Sequence, residues 1–295
     1  MTDKQPVDRE TLLPWVEIAH SARMMQDFLS QVTEPTPSSN LAKVNASYPF
    51  ERASDWCRGF LVAALEHLEM WANYVAPINF APDAEVVHRF RPVQTLARAA
   101  IEGASQAVWV LDTTAPRECV RRHLCLVLDD LSEQSRAASL EDKPLMQKRR
   151  EALLVRLADE FTEAEIGRFP GYMATVKYAA KAASDKGSRD GAFGDLDDVE
   201  RLWRSSAGSA HGKRWPSFAL QTVLPGHEIA PGTHSATLIP DPEAITRIVK
   251  LADSIVTYGV LRFADYAGFG NQIPNMLSDA MFRLAAKVPK SNELL

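Results

Sequence analysis

Cysteine is scarce in this chain. Its 295 residues include three, Cys57, Cys119 and Cys125, each inside a helical pattern and none in a CxxC pair. That odd count, with no secretory signal, predicts a reducing, cytoplasmic setting. Long apolar runs are missing as well. None approaches the ~18 residues that span a bilayer, so no membrane partner is expected. The amino terminus, MTDKQPVDRE, is polar and lacks a signal h-region. Basic residues are not in excess: 33 Lys and Arg face 38 Asp and Glu, for a net charge of -5. The molecule as a whole does not attract nucleic acid, so any anion site has to be local. Several catalytic signatures are also lacking. There is no G-x-S-x-G elbow and no HExxH, and the glycine-rich stretch DKGSRDGAFGD (185–195) lacks the GK[ST] ending of a nucleotide-binding loop.

Apolar residues make up 46% of the chain, enough for a substantial core. Their spacing predicts a mainly α fold: a helical bundle with a β-hairpin insertion and an N-terminal helical arm. The arm is residues 1–50. It comprises a helix from Pro14 to Gln31, with Trp15, Ile18, Ala22, Met25 and Leu29 on one face, and a Pro/Ser linker, TEPTPSSN (33–40). The bundle is residues 51–295, with helices over 53–76, 92–112, 116–140, 144–161, 172–184, about 197–212 and from Asp241 onward. SFALQTVL and THSATLIP alternate in the β-branched manner, so a hairpin with a long loop, PGHEIAPG, is expected at about 216–240.

The densest chemistry lies in Arg201-Leu-Trp-Arg204-Ser-Ser-Ala-Gly-Ser-Ala-His211-Gly-Lys213-Arg214, a window with four Lys or Arg and no carboxylate. Residues seven apart on a helix lie about 20° from eclipsed and ~10 Å apart along the axis, so Arg204 and His211 share a face. Glu200, one turn before Arg204, is placed to orient the guanidinium. A phosphate seated at this face would meet Arg201, Arg204, Lys213 and Arg214. His211 could take a proton from a ribose 2′-hydroxyl while Arg204 stabilises the phosphorane charge. The products are a cyclic phosphate and a free hydroxyl, and neither a metal ion nor a cofactor is needed.

The Arg204–His211 spacing resembles the R-x(4–6)-H motif of the HEPN superfamily (higher eukaryotes and prokaryotes nucleotide-binding). Arg98-Ala-Ala-Ile-Glu102 resembles the arginine–glutamate pair on an earlier helix of some prokaryotic HEPN-like proteins, and SSAGSAHG resembles their serine-rich, histidine–glycine ending. The resemblance covers about residues 90–215. Many members are all-α, dimeric, metal-independent ribonucleases of toxin, abortive-infection and CRISPR systems. It implies an endoribonuclease of a toxin or defence system, a homodimer, an RNA substrate and an antitoxin or other partner protein. Arg204 and His211 would be catalytic, with Arg98, Glu102 and Ser205 organising them. Active members usually carry Asn, Asp or His after the arginine, where this chain has the uncharged Ser205.

The competing class is a non-catalytic interaction protein of the same fold. Ser205 to Ala210 are all small, which lets another helix approach closely, as across a two-fold dimer axis. Other constellations have structural readings. Glu17–His20 and Glu85–His88, with Glu66 or Glu69 and with Glu102, have the composition of a di-iron bundle site but not its order. Cys119 and His123 share a helical face without a second ligand pair. Arg117, Arg121, Arg122 and His123, with Lys148, Arg149, Arg150 and Arg156, form a charged face that would supply further phosphate contacts. Trp215, beyond the motif helix, packs a turn or stacks a base.

Overall fold

The structure, a computed structural model, describes residues 7–79, 88–186, 193 and 195–289. Among them the chain is mainly α with a single two-stranded antiparallel ribbon. In order come α1 (Arg9–Gln31), α2 (Asn40–Ser47), α3 (Ala53–Val75), α4 (Phe90–Leu111), α5 (Pro116–Ala137), α6 (Lys143–Leu157), α7 (Glu163–Ile166), α8 (Tyr172–Lys186), α9 (Leu196–Ala210) and α10 (Trp215–Leu220). The ribbon follows as β1 (Gln221–Ala230) and β2 (Thr233–Pro240), then α11 (Pro242–Ala264) and α12 (Ile273–Lys287). No helix of the described residues is long and apolar enough to cross a membrane.

The first helix starts at Arg9 rather than Pro14, because Asp8 caps it by accepting from the Thr11 N–H. Pro14 then lies inside the helix, where the cost is one missing backbone hydrogen bond. The segment expected to lie as an arm is built into the common core. Trp15, Met25 and Phe28 are buried, and the Trp15 indole donates to Thr246 Oγ1 of α11 at 2.7 Å. The Pro/Ser segment is tied down too: the Thr36 N–H bonds the Ala267 carbonyl at 2.9 Å, and Ser39 caps α2.

Helix α4 is the centre of the bundle. Its buried Ala97, Ala100, Ala104 and Ala107 are small enough for α3 and α11 to pack closely on either side. A third face of α4 carries Arg91, Gln94, Arg98 and Glu102 at helical spacing and receives α9.

The hairpin differs from expectation in two respects. WPSFAL forms α10, because Pro216 suits a first helical turn. PGHEIA extends β1, so the turn closes tightly at Pro231–Gly232. The long loop is therefore mostly strand, with register irregularities between Pro225 and Glu228 and between Glu228 and Ala230. Most of the glycine-rich stretch 185–195 and Glu85 lie outside the described residues.

Candidate nucleic-acid interface at the carboxyl end of α9

Helix α9 is capped by Asp195, whose carboxylate accepts from the Asp197 N–H, and so starts at Leu196, close to the expected 197. Val199, Leu202, Ser205, Ser206, Gly208 and Ser209 are buried on the side facing the bundle. The seam with α4 is polar and antiparallel. Trp203 Nε1–H donates to Glu102 Oε1 at 2.9 Å. Ser206 Oγ–H donates to Gln94 Oε1 at 2.6 Å, and Arg91 Nη1 donates to the Ser209 carbonyl at 3.0 Å. Glu102 also receives Arg98 Nε at 2.7 Å, and that guanidinium lies 5.3 Å from the Trp203 ring centroid.

The end of α9 is fixed by Gly212 at φ +70°, a conformation that favours glycine. The Lys213 N–H reaches the Gly208 carbonyl at 2.9 Å and the Gly212 N–H reaches Ser209 at 3.0 Å, which closes the last turn as a Schellman motif. The chain then doubles back so that Trp215 and Pro216 cover Gly208. A Cβ at that position would meet Pro216 Cγ at 2.8 Å and the Trp215 ring at 3.0 Å. The run of small residues is thus filled by α4 and α10 of the same chain.

Arg204 and His211 are both exposed. Arg204 Nε is held by Glu200 Oε1 at 2.7 Å, which leaves the guanidinium's outer nitrogens to solvent. Glu200 is shared with Lys177 of α8, and hydrogen bonds from Lys177 and then Arg204 hold its carboxyl below the usual range. Arg201 is taken up by Asp198, which also binds Arg247. Arg201 is therefore ion-paired while its side chain stays exposed. Ser205 does not join the exposed pair. It is buried, and its hydroxyl has no hydrogen-bond partner among the described residues. The helical turn that presents Arg204 outward points its neighbour 100° away, into the bundle.

Lys213 and Arg214 make no ion pair among the described residues, and the Arg214 guanidinium sits 5.8 Å from the Phe218 ring centroid. The antiparallel seam brings the amino end of α4 beside them, with exposed Arg89 and Arg91. A shallow depression of about 450 Å³ opens there, lined by Met70, Arg91, Thr95, Leu96, Ser209 and Gly212. This end of the molecule gathers Arg89, Arg91, His211, Lys213 and Arg214. The free amides of the first turn of α4 add partial positive charge. Arg89 and Arg91 were not anticipated. The Arg89-Phe-Arg-Pro92 sequence opening a helix was the available signal, but only the tertiary seam links it to His211.

The remaining expectations resolve into structure. Arg121 and Arg122 both bind Glu118, whose carboxyl is pulled to about 2 by hydrogen bonding to Arg121, against burial, and then to Arg122. Arg122 further donates to the Trp109 carbonyl and Arg117 to the Glu160 carbonyl, so these arginines also tie α5 to its neighbours, while Lys148, Arg149 and Arg156 are exposed. His123 is buried, with Nε2 2.7 Å from the Glu51 carbonyl, and burial lowers its pKa to about 4. The carbonyl can only accept, so the proton is on Nε2. Cys119 is buried and its thiol is pushed up to about 12 by desolvation. Among the described residues no three His, Cys, Asp or Glu side chains converge as metal ligands, so Glu17 and His20 join no di-iron site there. Compared with known proteins, the chain matches no protein family, no curated protein and no solved structure.

Proposed function

We propose that this chain is an HEPN-like protein that binds RNA at the carboxyl end of α9 and cleaves it without a metal ion. The observation that carries this reading is the exposure of Arg204 on α9 and of His211 at its carboxyl cap. That helix is docked through Trp203 onto the Arg98–Glu102 pair and flanked by Lys213 and Arg214, which make no ion pair among the described residues. The backbone phosphate lies along the face between Arg204 and His211, with Lys213, Arg214 and Arg91 holding the strand. His211 takes the 2′-hydroxyl proton, the 2′-oxygen attacks phosphorus, and the 5′-oxygen leaves with a proton returned to it. The products are a 2′,3′-cyclic phosphate and a 5′-hydroxyl. A homodimer, a toxin or defence role and an antitoxin belong to this reading through the family resemblance.

A second reading, a non-catalytic interaction protein of the same fold, is favoured by the burial of Ser205. No third polar group stands beside the Arg–His pair at the position that follows the arginine. The two readings separate in one experiment. Single-stranded RNA is incubated with the full chain in EDTA, and the ends formed are analysed. Cleavage to cyclic phosphates that is lost in His211→Ala supports the nuclease. Binding without cleavage leaves the non-catalytic protein. Cleavage that survives His211→Ala overturns the assignment of that residue.

A further inference from the structure

We propose that Trp215 and Phe218 form a stacking platform for unpaired bases of the RNA strand, so that the substrate at this site is single-stranded. The proposal rests on the RNA reading and deepens it: the cations hold phosphates, and these two rings hold bases.

Helix α10 has two unlike faces. Pro216, Ser217 and Leu220 are buried. Trp215 and Phe218, three residues apart and so on one side of the helix, are 49% and 60% exposed. Two large rings left side by side in water make an apolar patch suited to a flat apolar ligand.

Trp215 is also held in place. A Cβ built on Gly208 would stand 3.0 Å from Trp215 Cζ2 and 3.1 Å from Cε2, so one edge of the indole fills the space a side chain would take. Pro216 closes the same gap from the next position. The clamped edge fixes the ring, and the rest of it stays open to solvent. Gly208 lies between Arg204 and His211 in the sequence, about 40° round the helix from Arg204. The ring therefore borders the face that carries the Arg–His pair, roughly midway along it.

The flanking charge has one sign. No Asp or Glu occurs between Glu200 and Glu228, and Lys213 and Arg214 stand directly before Trp215. The Arg214 guanidinium, 5.8 Å from the Phe218 centroid, is within range of a cation–π contact. Arg91, bound to the Ser209 carbonyl, brings a further cation to this end. Cations set among exposed rings match a strand in which phosphates alternate with flat bases. An unpaired strand is required, because the bases of a duplex already stack on one another. Stacking reads the face of a base and not its edge, so the platform tolerates any sequence.

The test is a titration of the full chain with two labelled strands of equal length. One is a single-stranded oligoribonucleotide whose 2′-O-methyl riboses block cleavage, and the other is the same backbone without bases. Wild type should bind the base-bearing strand about tenfold or more tightly than the abasic one. Phe218→Ala should lose about fivefold or more on the base-bearing strand, with abasic affinity and the salt slope unchanged. Trp215→Phe should keep the advantage of bases, and Trp215→Leu should lose most of it. Urea midpoints confirm that the variants fold; should Trp215→Leu fail to fold, Phe218→Ala decides alone. Equal affinity of wild type for the two strands overturns the platform, leaves the phosphate grip standing and assigns the rings to a protein contact. An equal loss on both strands in Phe218→Ala overturns it too. If neither strand binds, the RNA reading falls and the platform falls with it.

Discussion

Trp203 donates its indole N–H to the carboxylate of Glu102 across the α4–α9 seam at 2.9 Å, and Trp203 is the residue immediately before Arg204. The rotation of α9 about its own axis is thereby set by a buried-side hydrogen bond. Arg204 faces outward because its neighbour faces in.

Removing that acceptor tests the relationship. Glu102→Ala leaves both the Trp203 N–H and the Arg98 guanidinium without their partner, so a loss of about 1–3 kcal/mol is expected in urea unfolding. Glu102→Gln keeps a carbonyl oxygen for the indole and loses less. Equal losses for the two variants would show that the ion pair with Arg98, and not the indole bond, carries the seam.

Gly208 is the point of closest approach between α9 and α10. Gly208→Leu has to displace the Trp215 and Pro216 rings, which stand 2.8–3.1 Å from the site of the new Cβ. Overpacking of this kind costs roughly 1–3 kcal/mol. The expected outcome is a lower urea midpoint with the oligomeric state unchanged in light scattering. A variant with full stability and an altered oligomer would place the two-fold contact on α9 after all.

His123 gives the fold an acid-sensitive element with a defined pH window. Its folded pKa, lowered to about 4 by burial, lies below the ordinary value of 6.5. The unfolded chain therefore binds the proton first, and stability is lost as pH falls from 6.5 through 4. The full loss is on the order of 3 kcal/mol. Glu118 acts lower down: its stabilisation is present above 4.5 and disappears as pH falls toward 2. Urea midpoints of wild type and His123→Gln, measured between pH 7 and pH 4, check this. The wild-type curve should fall more steeply, and parallel curves would rule out His123 as the source.

Helix periodicity located most of the bundle in the sequence, because amphipathic spacing and punctuation by proline act locally. Pro92, Pro116 and Pro242 each stand within the first turns of a helix. The errors came from interactions that a local reading does not contain. Pro14 reads as a first-turn residue, but the Asp8 cap starts α1 earlier. PGHEIA reads as loop because Pro and Gly break strands, yet edge position and register irregularities accommodate both. At the site, the Arg204–Glu200 contact and the outward face of His211 followed from helical spacing alone. The burial of Ser205, the sharing of Asp198 between Arg201 and Arg247, and the arrival of Arg91 at Ser209 required knowing which face of α9 meets the bundle.

The central claim is that the carboxyl end of α9 grips an RNA backbone. It is tested most directly by titrating single-stranded RNA with wild type and with Lys213→Ala/Arg214→Ala across a range of salt concentrations. Each phosphate contact contributes about 0.7 to the slope of log K against log salt on a single strand, so removing two should make the slope shallower by roughly 1.4, with weaker binding at low salt. Equal affinity and equal slope for the two proteins would contradict the assignment of this surface to RNA.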